Sequence, residues 1–328
     1  MHNTHIVTAV LSTVAILGSA GYTGQETLDR VLVHPGLELV ALGSDSLAGR
    51  PAHALDPRLN GNVPMFTANL EAGRSGADLI FLCFGSEQAA AFTPPEGAVV
   101  VDLGGVHRLA DPALAARWYG LAPGAWSYGL PEVHPAEGPL IANPGCYATA
   151  TLLALWPLRD LLEGDVIVDA KSGMTGAGKM LRESSHAGAV LENFSPYAVG
   201  AHRHAPEISQ ILGRAITFVP HLLPVRRGLL ATCYVRVDAD VRSLLEEAYA
   251  GSAVVRVLPE GVEPEIGRVQ GTDAAEIGVF ADEATGMTIV ICAEDNLGKG
   301  AAGQAIQNAN LALGHPETAG LRLGSVLV

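Results

Sequence analysis

Lysine is almost absent from this chain of 328 residues, which has only Lys171, Lys179 and Lys299. Lysine and arginine together number 20, against 34 aspartates and glutamates, and the formal net charge is -14. Because nucleic-acid-binding proteins use basic surfaces to contact phosphates, this balance disfavours a nucleic-acid partner. It leaves room for a local basic pocket that binds a small anion, and all three lysines lie in glycine-rich segments.

Cysteine is also scarce, and the four cysteines lie far apart, at Cys83, Cys146, Cys233 and Cys292. No Cys-x-x-Cys pair occurs, so the spacing predicts neither a zinc site nor a disulfide framework. Isolated cysteines fit a reducing cytoplasm. We therefore predict no metal site and a cytoplasmic protein.

No apolar run is long enough to span a bilayer, which takes about 20 residues. The run at 6–17 has the apolar character of a secretory signal, but no lysine or arginine precedes Arg30. A signal peptide begins with a positively charged region, so we expect none here and no membrane partner.

The first part of the chain alternates short apolar runs with helical segments, the first of them at about 25–33. The apolar runs are 13–17, 37–42, 78–84 and 98–103. This alternation predicts a Rossmann-like α/β fold with a doubly wound parallel sheet. We assign residues 1–145 to a dinucleotide-binding domain.

From residue 146 onward the apolar runs are longer and fewer helices separate them. The runs are 165–170, 215–219, 229–237 and 287–292. They predict an α+β second domain with a mixed sheet, over 146–300, which we expect to carry catalysis and oligomerisation. The alanine-rich C-terminal segment, predicted as a helix within 301–328, should pack back on the first domain.

The segment Asn143-Pro144-Gly145-Cys146-Tyr147 sets a cysteine after a Pro-Gly turn and before a predicted helix. Unpaired N–H groups and the positive dipole end of a helix N-terminus lower the pKa of a thiol. The same N–H groups can stabilise an oxyanion. Cys146 is therefore a candidate nucleophile, with a packed structural cysteine as the alternative that this segment alone leaves open.

A glycine loop lies between the first strand and the first helix and comprises Gly18, Ser19, Ala20, Gly21, Tyr22, Thr23 and Gly24. Glycines here allow a tight turn and let the backbone approach a pyrophosphate at the helix N-terminus. We predict dinucleotide binding. After the second strand, Asp45 suits the ribose of NAD, whereas Ser44, Ser46 and Arg50 suit the 2′-phosphate of NADP, so the residues alone leave the choice open.

The segment that begins at His202 offers an acid/base and an anion contact. A histidine titrates near neutral pH and Glu207 could orient it. We predict that His202 or His204 is the partner of Cys146 and that Arg203 binds an anion. Which histidine acts stays open.

Further basic residues lie in the loop from Lys171 to Lys179, in a segment with His221 and Arg227, and at Arg108. Backbone N–H groups together with lysine suit a phosphate or carboxylate. The loop is not a P-loop, because Met180 follows Lys179 where that motif needs serine or threonine.

Taken together, these segments resemble N-acetyl-gamma-glutamyl-phosphate reductase, of the aspartate-semialdehyde dehydrogenase superfamily. The matching stretches occur in family order over nearly the whole chain: 21–24, 143–149, 172–179, 202–207, 220–222 with 227–228, and 295–300. The cysteine and His-Arg-His stretches are the most specific of them.

The resemblance implies an NADPH-dependent oxidoreductase of arginine biosynthesis that converts an acyl phosphate to an aldehyde and releases inorganic phosphate. Cys146 would attack the acyl phosphate to form a thioester, and His202 or His204 would supply the acid/base with support from Glu207. The implied substrate contacts are Arg108, Asn143, Ser172, Gly173, Lys179, Arg203, His221 and Arg227. The implied cofactor contacts are the glycine loop, Ser44, Ser46, Arg50, Gly176, Asn296 and Lys299.

Three other interpretations compete with this one. They are a carrier-protein-linked aminoadipyl-phosphate reductase of lysine biosynthesis, aspartate-semialdehyde dehydrogenase, and a non-catalytic dinucleotide-binding regulator. The presence of Cys146 argues against the regulator, because a regulator would have no need of a nucleophile. From the relatives we also expect a homo-oligomer, a dimer or tetramer, formed through the second domain.

Overall fold

Two seven-stranded sheets organise the computed structural model, which describes residues 11–59, 61, 63–179 and 186–324. The first sheet has the strand order β3-β2-β1-β4-β5-β7-β6 and all its pairings are parallel. The second has the order β12-β13-β14-β11-β8-β10-β9 and mixes parallel with antiparallel pairings. This is the predicted α/β fold, with a Rossmann-like sheet and a mixed sheet.

The elements of the first sheet and its helices come first in the chain. They are β1 (Ser12–Leu17), α1 (Tyr22–Val31), β2 (Leu37–Gly43), β3 (Phe66–Thr67), α2 (Asn69–Ala72), β4 (Leu79–Leu82), α3 (Ser86–Ala91), β5 (Val99–Asp102), α4 (Pro112–Tyr119), β6 (Ser127–Tyr128) and β7 (Leu140–Ala142).

The remaining elements build the second sheet and return to the first. They are α5 (Cys146–Leu155), β8 (Glu163–Gly173), α6 (Ala187–Val190), β9 (Ser195–Pro196), α7 (His204–Leu212), β10 (Thr217–Leu223), β11 (Leu229–Arg236), α8 (Val241–Ala248), β12 (Val255–Val257), α9 (Ile266–Val269), β13 (Ala275–Asp282), β14 (Met287–Glu294) and α10 (Gly303–Leu313). Short 3₁₀ helices span Ala52–Ala54, Trp156–Leu158 and Met174–Ala177, and a π-helix spans Gly298–Ala302.

The first sheet is covered on both faces, which explains its almost uninterrupted apolar strands. In β1, Val14 and Ile16 share a core with α1 and α10, whereas Ala15 and Leu17 belong to a separate cluster on the opposite face. Because successive strand residues point to opposite faces, a strand buried on both sides has to be apolar throughout.

Helix α1 begins at Tyr22, three residues earlier than the predicted start at 25. Glycine is a poor helix former, so Gly24 argued against an earlier start. Close packing explains the glycine at this position instead, since a Cβ on Gly24 would lie 2.5 Å from the carbonyl oxygen of Gly18. Gly24 lets the first turn of α1 sit directly on the loop that precedes it.

The second sheet is covered by helix α5 on one face. Val166, Val168 and Ala170 of β8 are buried in a core with α5, while Ile167 on the other face is 38% exposed. Helix α5 carries no charged residue, and all of it after Cys146 is buried. It is thus the central helix of this half of the molecule. The packing around the helix fixes the position of its first residue, Cys146.

The C-terminal segment returns to the first sheet. Ala305, Ile306 and Ala309 of α10 join the core that contains α1 and β1. The helix ends before Gly314, which has a left-handed φ of 73°, so it is shorter than the predicted segment 301–328. Residues 325–328 lie outside the described part of the chain.

Buried ion pairs join α1 to the second half of the molecule. Both Arg30 and Asp273 are fully buried, and the Arg30 Nε donates to the two carboxylate oxygens at 2.9 and 3.0 Å. Arg227 bridges Glu26 and Asp295. These pairs fix the middle and the last turn of α1 relative to the loops after β10 and β14 and to the segment before β13.

Candidate active site

A cavity of about 490 Å³ lies between the two halves of the molecule. The N-termini of α1 and α5 both reach its wall, as do the loop after β5, the 175–179 loop, the start of α7 and the π-helix. Its volume is in the range of small-molecule sites. The cavity therefore brings the glycine loop, the predicted nucleophile and the His-Arg-His segment together.

Cys146 is the first residue of α5, as predicted, with Gly145 as the N-cap. Its thiol, however, does not have a lowered pKa. Burial raises the pKa of Cys146 to about 12, the nearby Glu294 adds to this, and the backbone N–H of Tyr147 offsets only part of it. The predicted direction was wrong because desolvation outweighs the helix end. The thiol needs a neighbouring base to become a nucleophile.

His204 is the histidine that lies against the Cys146 turn. Its Nε2 packs against the turn before the cysteine, only 2.2 Å from the position that a Cβ on Gly145 would take. Its buried Nδ1 has no hydrogen-bond partner among the described residues. Burial lowers the pKa of His204 well below its usual value, and His202 and Arg108 lower it further. The imidazole is therefore neutral near pH 7 and able to accept a proton.

His202 has a different environment. Its ring lies among those of Tyr147, Tyr197 and Phe218. Its Nδ1 accepts a hydrogen bond from the backbone N–H of His204 at 3.1 Å. Burial, followed by the charge of Arg203, lowers the pKa of His202 to about 4. Of the two candidates only His204 lines the cavity.

Arg108 and Glu207 form a buried pair behind the Cys146 turn, with Arg108 Nη1 3.2 Å from Glu207 Oε2. Glu207 also accepts from the Gly145 N–H and the Tyr128 hydroxyl, both at 2.8 Å. These contacts correct the predicted role of Glu207, because its carboxylate holds the turn and the guanidinium rather than an imidazole. Arg108 also donates from Nε to the Asn143 carbonyl at 2.7 Å and from Nη2 to the Leu103 carbonyl at 3.0 Å, so its guanidinium is held rigidly where it lines the cavity.

The glycine loop has the shape that a dinucleotide requires. Gly18 has a φ of 75°, and a Cβ there would lie 2.4 Å from the carbonyl oxygen of Cys83. Helix α1 starts with an extended Gly21 and has no side-chain cap, so its first N–H groups remain available. Gly21, Tyr22 and Thr23 line the cavity. A pyrophosphate fits this bare helix end.

Two family models match the chain, one for each sheet. "Semialdehyde dehydrogenase, NAD binding domain" matches residues 13–138, and "Semialdehyde dehydrogenase, dimerisation domain" matches residues 146–296. The cavity is lined by residues from both matched segments.

Relatives of known name cover almost the entire chain. The N-acetyl-gamma-glutamyl-phosphate reductase of Salinispora arenicola is 43% identical over 94% of this chain and 97% of its own. That of Pelotomaculum thermopropionicum is 41% identical over 94% and 97%. This chain belongs to the N-acetyl-gamma-glutamyl-phosphate reductase family. The predicted resemblance and the predicted enzyme class, an oxidoreductase with a nicotinamide dinucleotide cofactor, are thereby confirmed.

Solved structures share the fold of this reductase at low sequence identity. Aspartate semialdehyde dehydrogenase II from Vibrio cholerae superimposes with a TM-score of 0.70 at 18% identity and covers 92% of this chain and 98% of its own. The aspartate semialdehyde dehydrogenase from Candida albicans gives 0.63 at 17%, covering 92% and 98%. At this identity they support the two-sheet architecture alone.

Ten of the residues predicted for the reductase site line the cavity. They are Gly21, Tyr22, Thr23, Arg108, Cys146, Gly176, Lys179, Arg203, His204 and Asn296. Lys179 also reaches across the cleft, where its Nζ donates to the Ala20 carbonyl at 3.0 Å. The sequence prediction therefore selected residues from both halves that the fold brings together.

The other predicted residues are not part of the cavity lining. They are Gly18, Ser19, Ala20, Gly24, Ser44, Ser46, Arg50, Asn143, Ser172, Gly173, His202, Glu207, His221, Arg227 and Lys299. Lys299 departs most from its prediction as a cofactor contact. It is 1% exposed, and its Nζ lies 2.5 Å from Glu132 and 2.6 Å from Gln307. Its charge is therefore neutralised by Glu132 inside the protein.

Sequence reasoning missed two groups at the reductase site. Tyr119 lines the cavity below the guanidinium of Arg203, 5.1 Å from the ring centroid, and nothing in its helix sets it apart in the sequence. Glu294 ends the apolar strand β14 and is fully buried. A carboxylate that terminates a buried strand was the signal available for Glu294.

Proposed function

We propose that this chain reduces N-acetyl-gamma-glutamyl phosphate to N-acetylglutamate semialdehyde with NADPH and releases phosphate, the reaction named by its relatives. The observation that carries the proposal is that Cys146, His204 and Arg108 share one cavity with the N-terminus of α1. A nucleophile, a base, a fixed cation and a dinucleotide cradle are the parts that this chemistry needs.

The first half of the proposed reaction belongs to Cys146 and His204. The neutral imidazole of His204 accepts the thiol proton as the sulfur attacks the acyl carbon. The acyl–phosphate bond then breaks and leaves a thioester on Cys146. The Tyr147 N–H at the start of α5 acts on the Cys146 sulfur and favours its thiolate form. Arg108 offers its charge to the departing phosphate or the substrate carboxylate.

Two further cations, Arg203 and Lys179, suit the anionic ends of the substrate. Both line the cavity and are exposed, so they are free to adjust to a bound ligand. They belong to two separate segments, Arg203 to the start of α7 and Lys179 to the 175–179 loop. We infer that they bind phosphate or carboxylate oxygens and guide the substrate to the thiol.

The glycine loop and the start of α1 would hold the cofactor. When bound, NADPH supplies the hydride that reduces the thioester to the aldehyde. The preference for NADP over NAD is supported by Asp45, whose carboxylate already accepts 2.9 Å hydrogen bonds from the backbone and side chain of Asn69. Ser44, Ser46 and the exposed Arg50 remain near it for a 2′-phosphate.

The reverse reaction tests the proposal directly. Purified protein is given N-acetylglutamate semialdehyde, inorganic phosphate and NADP⁺, and NADPH absorbance is followed. We expect turnover that disappears when phosphate is omitted and falls when NAD⁺ replaces NADP⁺, because phosphate resolves the thioester.

A parallel assay with aspartate semialdehyde separates the alternatives. Activity with that substrate alone would support an aspartate-semialdehyde dehydrogenase. Activity with neither aldehyde would support the carrier-protein-linked reductase of lysine biosynthesis. If iodoacetamide also fails to label Cys146, the non-catalytic regulator would gain the support.

We further propose a homo-oligomer built through the second sheet. The part of the chain from 146 to 296 matches a model described as a dimerisation domain, and one face of that sheet carries the half-exposed Ile167. No helix of the described residues is long and apolar enough to cross a membrane. Cytoplasmic location remains our proposal from the cysteine pattern. The domain limits 1–145 and 146–300 are likewise proposed.

A further inference from the structure

Glu294 is a fully buried carboxyl group that the proposed reaction does not use. It is the last residue of β14, between β13 and β11 in the sheet. It shares the α5-covered face of β14 with Cys292, two residues before it. Neither of its carboxyl oxygens has a hydrogen-bond partner among the described residues. A buried polar group without a partner is costly and calls for an explanation.

The carboxyl lies beside the proposed nucleophile. A Cβ placed on Gly300 would be 2.6 Å from Glu294 Oε1 and 2.8 Å from the Cβ of Cys146. Glu294 and Cys146 therefore flank the same point at Gly300, which lines the cavity. When Glu294 is ionised, its charge is the second contribution to the raised pKa of the Cys146 thiol, after burial.

Among the described residues, no salt bridge pairs a cation with Glu294. The ammonium group of Lys299, whose charge acts on Glu294, is engaged by Glu132 and Gln307. Asp295 is paired with Arg227. Burial raises the pKa of Glu294 well above its usual value, and the carboxylates of Asp295 and Glu132 add to this against the charge of Lys299. An unpaired buried carboxyl is more stable in its neutral form.

We propose that Glu294 is held as a neutral carboxylic acid and is a positioning residue for Cys146. While it keeps its proton, the thiolate can form beside it without repulsion. When the proton leaves for solvent, a carboxylate remains beside the sulfur and suppresses formation of the thiolate. Ionisation of Glu294 thus limits how far the reactivity of Cys146 rises with pH.

The groups that face Glu294 are consistent with this assignment. Cys146 approaches from α5, Lys299 from the π-helix and Glu132 from the loop before β7, while Asp295 and Cys292 lie on its own segment. Carboxylates and thiols outnumber the one ammonium, so the balance of charge opposes ionisation of Glu294.

The test is the rate of iodoacetamide alkylation of Cys146 against pH, in the full-length protein and in Glu294→Gln. Glutamine has the same shape and cannot ionise. We expect the two rates to agree within about twofold near pH 7. At alkaline pH the variant should react about tenfold faster than the wild type, equivalent to one pKa unit of the thiol. Cys146→Ser gives the background from the other three cysteines.

Two outcomes would overturn the proposal. A variant that reacts faster by the same factor at every pH would mean that Glu294 is ionised throughout. Identical rates over the whole pH range would mean that the two groups are not coupled. Glu276→Gln is the matched control, because Glu276 is buried on neighbouring β13 but paired with Arg268. This control should follow the wild-type curve.

A second measurement covers the case in which Glu294→Gln does not fold. In the wild-type protein, the infrared band of a protonated carboxyl should be present at neutral pH and fade as pH rises. The logarithm of the alkylation rate should flatten over the same pH range. Absence of the band at neutral pH would refute the proposal. The inference rests on Cys146 as the reactive thiol, but alkylation needs neither substrate nor cofactor, so its result stands apart from the proposed reaction.

Discussion

Two helices begin at the same cavity with the same local design and different surroundings. Helices α1 and α5 both follow a parallel strand of the first sheet, both have an extended glycine N-cap, and neither has a side-chain cap. Each therefore presents unpaired N–H groups to the cavity. The sequence signature of the two, a strand followed by glycine and a helix, is nearly the same.

The surroundings differ in what they leave accessible. The first residue of α1, Tyr22, is exposed, and its N–H groups face open space suited to a pyrophosphate. The first residue of α5, Cys146, has His204 against the turn that precedes it and Glu294 near its own Cβ. The difference teaches that a bare helix end becomes a ligand site or a reaction site according to the side chains that other elements bring to it.

Removing the thiol should abolish the reaction at the N-terminus of α5 and leave cofactor binding at the N-terminus of α1 unchanged. We expect Cys146→Ser to lower kcat by at least about 10⁴-fold, because loss of a nucleophile removes the covalent route. The dissociation constant of NADPH, from fluorescence titration, should change by less than about twofold. Turnover near the wild-type level would refute Cys146 as the nucleophile.

Replacing each histidine in turn should sharpen the assignment of the base at the α5 end. His204→Asn should lower kcat/KM by about 10²- to 10³-fold, a typical loss for a general base. The pKa of His204 is lowered, so wild-type activity should hold below pH 6.5 and fall only as the imidazole becomes protonated at lower pH. That acid limb should vanish in the variant.

His202→Asn is the matched control for this experiment, because His202 is the neighbouring ring outside the cavity lining. It should keep the acid limb and lose less than about tenfold in kcat/KM. If the two variants lose activity equally and both abolish the limb, the assignment to His204 is wrong.

Adding a methyl group at Gly24, in the first turn of α1, should weaken cofactor binding alone. Its effect should be the smallest of these variants. A Cβ on Gly24 would meet the Gly18 oxygen at 2.5 Å and the Ser19 Cα at 2.6 Å, so the loop has to shift. We expect Gly24→Ala to raise the NADPH dissociation constant about tenfold and to cost about 1–3 kcal/mol in stability. The rate of alkylation of Cys146 should not change. The matched control is Gly267→Ala, because a Cβ there has no neighbour within 4 Å. Gly178→Ala is unsuitable, because Gly178 lies in open space but has a positive φ that would strain an alanine.

The sequence predicted the parts of the fold and site that local patterns determine. The parallel sheet followed from apolar runs alternating with helices, and the start of α5 followed from its Pro-Gly turn. Cys146 and His204 were both found, because each lies in a short segment rich in chemically capable residues. Gly24 obscured the start of α1, since its reason is a contact with Gly18 rather than helix propensity.

What the sequence could not supply are contacts between distant segments. Glu207 lies three residues after His204 on one helix, yet its carboxylate faces Arg108 and the Gly145 turn. Lys299 was predicted to contact the cofactor, but Glu132 neutralises its charge. The pKa of the thiol depends on burial, which no local pattern reports.

The buried pair of Arg30 and Asp273 has a consequence for how this molecule can be recombined. One partner comes from the first 145 residues and the other from the second half, and each is fully enclosed. A chimera that takes its two halves from different relatives would strand one of these charges unless the donor carries the same partner. The two halves are therefore not interchangeable modules.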